Sequence, residues 1–427
     1  MAELSAVTRG EPATHRPGSA CQPRGGPEVS DRGPVRVRIP LLRLQLSAAL
    51  VAASAGCATP GAAAQPAADA GCTPTPAAQV VPADGVLVGV NVDWGAQSLA
   101  DYTGHLGHAP AVAVSFAGLP MSAEDATNVD GAVEQVRAGG GVLLLTLEPA
   151  GGLAAVTDQV AGELAQRLDA YNRRGVPVVV RFAHEMNGSW YAWGQQPAAF
   201  VAAFRRVAAA VHTGAPGSAT MWAPNYGGGY PFTGGPHQAG AGGTDAAVLD
   251  TDADGAVTAA DDPYAPYWPG DDAVDWVGLS LYHWGDTAPW GENEVPEPGK
   301  LVAQLTGEYD GLGGDDRAVP DFYADYGVAY DKPVAVPETA ALYVDGAGGA
   351  PELAVKQAWW RQVLDPGLHE RLPRLAMVNW FEWDKPESEV HARVDWRAAA
   401  DPRLRDALTA DLPAWARWAG DLPTCRP

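Results

Sequence analysis

GVPVVVRFAHE, Gly175 to Glu185, joins an unbroken apolar run to an abruptly polar ending. The run shows no period-two alternation, as expected of a strand covered on both faces. Before it, TDQVAGELAQRLDAYNRRG (157–175) repeats apolar residues at helical spacing and closes on Gly. After it, QPAAFVAAFRRVAAAVHTG (196–214) does the same, so the strand lies between two predicted helices. LAVKQAWWRQVLD (353–365) fits the same helical pattern.

Seven other runs share the strand pattern: GVLVGVNVDW (85–94), PAVAVSFAG (110–118), GVLLLTLEP (141–149), ATMWAPN (219–225), VDWVGLSLY (274–282), PVAVPET (333–339) and LAMVNWFEW (375–383). Eight strands alternating with helices predict a single α/β domain, a (β/α)8 TIM barrel with long βα-loop insertions. A doubly wound open sheet competes, but no glycine-rich fingerprint follows the first strand. The runs end in Asp93-Trp94, Ser115-Phe116, Glu148, His184-Glu185, Asn225, Tyr282-His283-Trp284, Glu338 and Trp380. Polar and aromatic residues at the C-terminal ends of barrel strands line the mouth where such barrels do their chemistry.

The bulk composition agrees. The 427 residues are 47% hydrophobic and 19% charged, as in globular proteins. A net charge of −23 excludes a phosphate-tracking, nucleic-acid-binding surface. Trp and Tyr, at 15 and 13, outnumber the 7 Phe, a bias that suits sugar faces as well as core filling. Trp276, Trp359 and Trp415 lie inside predicted elements and read as core.

The N-terminal region differs. Residues 1–34 lack apolar periodicity and read as disordered. VRVRIPLLRLQLSAALVAASAGC (35–57) then has the charged start, short apolar centre and small-residue end of an export signal. Its Gly56-Cys57 ending resembles a lipoprotein cleavage site, which makes Cys57 a candidate lipid anchor. The expected organisation is extension plus signal at 1–57, an Ala/Pro-rich linker at 58–79 and the barrel at 80–427. Cys72 and Cys425 bracket that domain, and in an exported protein the placement predicts a disulfide.

HEMNG (184–188) is not a zinc helix. That site needs His-Glu-x-x-His, and the second His position is Gly188. A carboxylate pair is the better reading. Glycoside hydrolysis needs one carboxylic acid to protonate the leaving oxygen and a second carboxylate opposite it. Glu185 and Glu338 end different strands and face the same mouth, with Glu148 and Glu382 as rival second carboxylates. A carboxylate paired to an arginine beneath the loops is the other reading of Glu338.

RFAHEMNGSWYAWG (181–194) closely resembles the acid/base motif of glycoside hydrolase family 26, retaining (β/α)8 barrels that are mostly endo-β-1,4-mannanases. The resemblance extends over roughly residues 85–420 and includes MWAPN and WVGLSLYHWG. It implies that Glu185 is the general acid/base and Glu338 the nucleophile. It also implies that His184 sits beside the acid, Trp190 borders the cleavage point and Tyr282 hydrogen-bonds the nucleophile. Trp380 would floor the reacting-sugar subsite, and Arg181 would hold the nucleophile ionised. Asn225, at its strand end, joins the substrate-binding set.

LDTDADGAVTAADD (249–262) carries a second motif. Asp250, Asp252, Asp254 and Asp261 fall at positions 1, 3, 5 and 12 of a calcium loop, with Gly255 at position 6. A structural Ca2+ is expected there, near 250–261, with no catalytic metal or organic cofactor. The whole reads as an exported or cell-surface monomer that hydrolyses a polysaccharide, with β-1,4-mannan the leading substrate. Mixed-linkage β-1,3-1,4-glucan and β-1,3-xylan come next. No nucleic acid partner is expected, and no membrane contact beyond the anchor at Cys57. A non-catalytic polysaccharide-binding barrel is the alternative, and it predicts the loss of one of the two carboxylates.

Overall fold

The side chains of each strand divide between two apolar surroundings, which is why the runs show no alternation in sequence. Leu87, Val112, Val114, Leu144, Val179, Met221 and Met377 fill the interior of a ring of strands. Their neighbours Val86, Val88, Ala113, Leu143, Val180, Trp222 and Val378 point outward into a layer shared with helices. The computed structural model describes residues 73, 75–286, 290–309, 311 and 319–422. The signal region, Cys57 and the Cys72–Cys425 pairing lie outside those residues, as does most of the linker.

All eight predicted strands form: β1 (Val86–Val92), β2 (Val112–Gly118), β3 (Val142–Glu148), β4 (Val178–Phe182), β5 (Ser218–Trp222), β6 (Trp276–Gly278), β7 (Val334–Thr339) and β8 (Leu375–Glu382). They pair in sequence order, and β8 returns to β1 from Leu87↔Met377 to Val92↔Glu382, closing a parallel barrel. At the interior Gly89 a side chain would meet Asn379 Oδ1 at 2.1 Å, so the closure there requires Gly. Two strands, β9 (Asp384–Glu387) and β10 (Ala392–Asp395), follow as an antiparallel hairpin.

Helices α1 (Leu99–Leu106), α2 (Ala123–Gly139), α3 (Asp158–Arg173) and α4 (Pro197–Gly214) follow the first four strands. Ser98 and Ser122 start the first two with reciprocal capping boxes to Asp101 and Asp125. Pro197 starts α4 with its fixed φ. The insertion between β5 and β6 carries α5 (Thr244–Leu249), and α6 (Lys300–Leu305) lies between β6 and β7. Helix α7 (Glu352–Val363) covers β7, with α8 (Leu368–Arg371) and α9 (Pro402–Ala410) beyond it. Among the described residues no helix is long and apolar enough to cross a membrane.

Trp276, Trp359 and Trp415 are all buried, as expected. The indole of Trp359 donates to Thr339 Oγ1 at 2.8 Å, tying α7 to the end of β7. Trp359→Ala should therefore cost about 3–5 kcal/mol by chemical denaturation, from cavity and lost hydrogen bond together. The same truncation at exposed Trp290 should stay within about 0.5 kcal/mol.

Candidate functional site

The mouth of the barrel opens into a cleft of about 1940 Å³. Strand parity decides what faces it. Arg181 lies two residues beyond Val179 on β4 and so points along the barrel interior, where it is completely buried. One guanidinium nitrogen, Nη1, donates to Glu338 Oε1, and Nη2 donates to Ser280 Oγ at 2.7 Å. The Tyr282 hydroxyl donates to Glu338 Oε2 at 2.8 Å. Both oxygens of Glu338 are thus held, and the side chain still lines the cleft. The two readings of Glu338, arginine partner and cleft carboxylate, are true together.

Glu185 reaches the mouth by another route. Beyond Phe182 the chain turns through left-handed conformations at Ala183 (φ 47°) and Glu185 (φ 54°), unusual for residues with a Cβ. The Glu185 N–H donates to Ala223 O at 2.8 Å and pins that turn to β5. Gly188 explains the rest of the motif. A Cβ there would come within 2.3 Å of the Trp190 ring, so only Gly lets the indole fold back, where Nε1 donates to Glu185 Oε2 at 3.2 Å. The residue whose identity excludes zinc is the one that admits the tryptophan.

Burial pushes the Glu185 carboxyl up to about 7, and the charge of Glu338 adds to the effect. Arg181 opposes it, as do hydrogen bonds from Ser280 and Trp190. Arg181 therefore acts on both carboxyls, bonding Glu338 and lowering Glu185 through its charge. His184 beside it is held neutral by burial and by the positive charge of Arg181, and packs against the rings of Phe116, Tyr191 and Trp193. Asn225 lines the cleft, its backbone clamped to the Asn187 side chain at 2.8 and 2.9 Å.

Trp380 is a correction. It faces outward with Val378, packs 6.4 Å from Trp360 and donates to Trp396 O at 3.0 Å, so it does not floor the cleft. Parity gives the reason: the interior positions of β8 are Met377 and Asn379, and Phe381 follows at the mouth. Phe381, Trp383 and Trp396 line the cleft in its place. Among the strand-end residues His283 also turns away, its ring nitrogen paired with Glu294 O at 2.9 Å. Glu382, one rival carboxylate, is buried and accepts the N–H groups of Ala398 and Ala399 at 2.9 and 2.8 Å. Glu148, the other, does line the cleft. Sequence reasoning did not single out Ser280, although it stands one strand period before Tyr282. Trp396 lies in no predicted element, so nothing in the sequence pointed to it.

In the β5–β6 insertion, carboxylate oxygens of Asp250, Asp252 and Asp254 lie within 4.8 Å of one another. Asp261 does not join that group. Its carboxylate accepts the loop's own N–H groups, from Thr258 at 2.7 Å and Asp252 at 3.2 Å. The structure thus assembles three of the four expected ligands.

The family model for glycosyl hydrolase family 26 matches residues 148–210, a span that includes Glu148 and Glu185 and stops short of Glu338. No curated protein matches the chain by sequence. Among solved structures, an endo-β-1,4-mannanase double mutant from Cellulomonas fimi has 18% identity and a TM-score of 0.51, covering 81% of this chain and 75% of its own. A modular endo-β-1,4-mannanase from Cellulomonas fimi has 16% identity and a TM-score of 0.50, with coverages of 82% and 78%. GH26C from Muricauda sp. has 12% identity and a TM-score of 0.51, with coverages of 80% and 88%. At such identities the structures speak for the fold alone. Residues 148–210 are thus similar to glycosyl hydrolase family 26, and the barrel around them has the fold of these solved structures.

Proposed function

We propose that the chain is a retaining endo-β-glycosidase, with β-1,4-mannan its leading substrate and Glu185 and Glu338 its catalytic pair. One observation carries this: two buried carboxylates line one cleft, Glu338 bonded by Arg181 and Glu185 raised by burial to about 7. Protonated Glu185 donates to the glycosidic oxygen while Glu338 attacks the anomeric carbon, and the leaving sugar departs as an alcohol. Glu185, now an anion, takes a proton from water, and the water oxygen attacks the anomeric carbon to release Glu338. Tyr282 and Arg181 keep the Glu338 oxygens oriented through both steps. An open cleft with Trp284 and Trp290 on one wall and Phe381 and Trp383 on another suits internal cutting of a chain. The two Cellulomonas fimi relatives in fold are mannanases, which favours mannan. The signal-like segment at 35–57 adds export to the proposal.

Hydrolysis of β-mannan, lichenan and β-1,3-xylan by purified protein tests the substrate. Activity on lichenan or xylan alone would move the assignment to those glycans, and activity on none would favour a binding barrel. Glu185→Ala should lower kcat/KM roughly 10²–10⁴-fold. Glu338→Gln, which leaves Arg181 a carbonyl to bond, should be inactive, and its survival would remove Glu338 from the nucleophile role.

The first step needs Glu185 protonated, so kcat/KM should fall as pH rises through about 7. Glu185→Ala should abolish that limb of the profile. A limb unchanged in the variant would place the titrating acid elsewhere.

For the acidic loop we propose a structural calcium ion on Asp250, Asp252 and Asp254, three converging hard oxygen donors of the kind that ion takes. Added calcium should raise the Tm of chelator-treated protein, and Asp252→Ala should remove the rise. Melting and activity indifferent to chelation would end the calcium proposal.

A further inference from the structure

The cleft contains a third carboxylate with no part in the two-carboxylate reaction. Glu148 is the last residue of β3, in the inward-facing column that begins at Val142 and continues through Leu144 and Thr146. The parity that aims Arg181 along the barrel interior aims Glu148 into the mouth, where it lines the same cleft as Glu185 and Glu338.

Its surroundings distinguish it from every other acidic residue at these strand ends. Asp93 accepts the Gly95 N–H at 2.9 Å. Glu338 holds Arg181 and Tyr282, Glu185 is bonded by Trp190, and Glu382 accepts two backbone N–H groups. Among the described residues, the Glu148 carboxyl has no hydrogen bond or ion pair at all. The bonds of Arg181 run instead to Glu338 and Ser280.

A half-buried polar group without a protein partner is costly unless something else supplies the bond. In this cleft water or a bound ligand can supply it. Sugars present hydroxyl donors on adjacent carbons, and the two oxygens of a carboxylate can accept from two of them at once. Burial and the nearby charge of Glu338 push the Glu148 carboxyl above its ordinary value, which places it in the field of the reacting pair.

We propose that Glu148 is a specificity-determining residue that binds two neighbouring hydroxyls of the sugar held beside Glu185 and Glu338. This rests on the glycosidase reading above. Glu148 reads which hydroxyl pair the substrate turns toward β3, and a glycan lacking that pair leaves a buried carboxyl unbonded. Sites built to bond a hydroxyl reject analogues without it far more strongly than apolar pockets reject a missing methylene.

The test compares wild type, Glu148→Gln and Glu148→Ala on hexasaccharides of β-1,4-mannan, mixed-linkage glucan and β-1,3-xylan. Steady-state kinetics are read beside calorimetric Kd, and a 2-fluoro glycosyl fluoride traps the nucleophile for peptide mass mapping. Glu148→Ala should raise Kd and KM about ten- to hundredfold with kcat less affected. Glu148→Gln, close in size and keeping one carbonyl acceptor, should recover part of the loss. The trapped sugar should sit on Glu338 in all three proteins. Unchanged Kd and KM in both variants would overturn the inference, as would a label on Glu148. Glu148-dependent binding without hydrolysis by wild type would support it while removing the catalytic reading. No binding of any hexasaccharide by wild type would overturn both.

Discussion

Arg181 is a permanent cation, completely buried near the axis of a barrel whose interior is otherwise apolar or small. A charge in that position requires a partner of opposite sign, and losing one member of such a pair costs about 3–5 kcal/mol. That requirement places Glu338, on a strand three removed in the ring, in one orientation. Ser280 takes the other terminal nitrogen and sits between Arg181 and Glu185. Stability and chemistry therefore make the same demand on one side chain. The barrel needs a carboxylate over the arginine, and the reaction needs a carboxylate over the sugar.

The second carboxylate is placed by strain and shape instead of charge. Two left-handed residues, Ala183 and Glu185, turn the chain off β4, and each costs on the order of 1–3 kcal/mol. The loop offsets this with bonds that can form only in that turn: Glu185 N–H to Ala223, and the indoles of Trp190 and Trp193 to Glu185 and to His184 O. One carboxylate is thus bonded at both oxygens by fixed donors. The other is kept in apolar surroundings that favour its neutral form. Those surroundings raise the affinity of Glu185 for a proton.

Eight strands were legible because burial on both faces leaves continuous apolar runs, and their order followed from the helices between them. The position of Glu185, Glu338 and Tyr282 at the mouth was legible because barrel strands end there, whereas Arg181 came only through the resemblance to family 26. Trp380 was misplaced for want of parity: at a strand end, adjacent residues face opposite ways, and sequence alone does not say which of Trp380 and Phe381 looks inward. Trp396 reaches the cleft only because the β9–β10 hairpin folds back over it, a tertiary event without local signature. Spacing makes Asp261 a fourth ligand, but its carboxylate lies apart from the three that converge.

The aromatic wall formed by Trp284 and Trp290 depends on a second buried cation, outside the barrel. Lys300, at the start of α6, donates to Gly285 O at 2.9 Å and lies 3.3 Å from Asp286 and 3.8 Å from Glu297. Its ammonium also sits 5.0 Å from the Tyr309 ring. Burial raises the Asp286 carboxyl to about 6, while hydrogen bonds from Asp286 and Tyr309 help hold Glu297 down to about 2. Gly285 follows Trp284 directly, so the bond from Lys300 to the Gly285 carbonyl also fixes where the tryptophan stands. Each side of the mouth is therefore set by the demand of a buried cation, Arg181 for the carboxylates and Lys300 for the wall beside them.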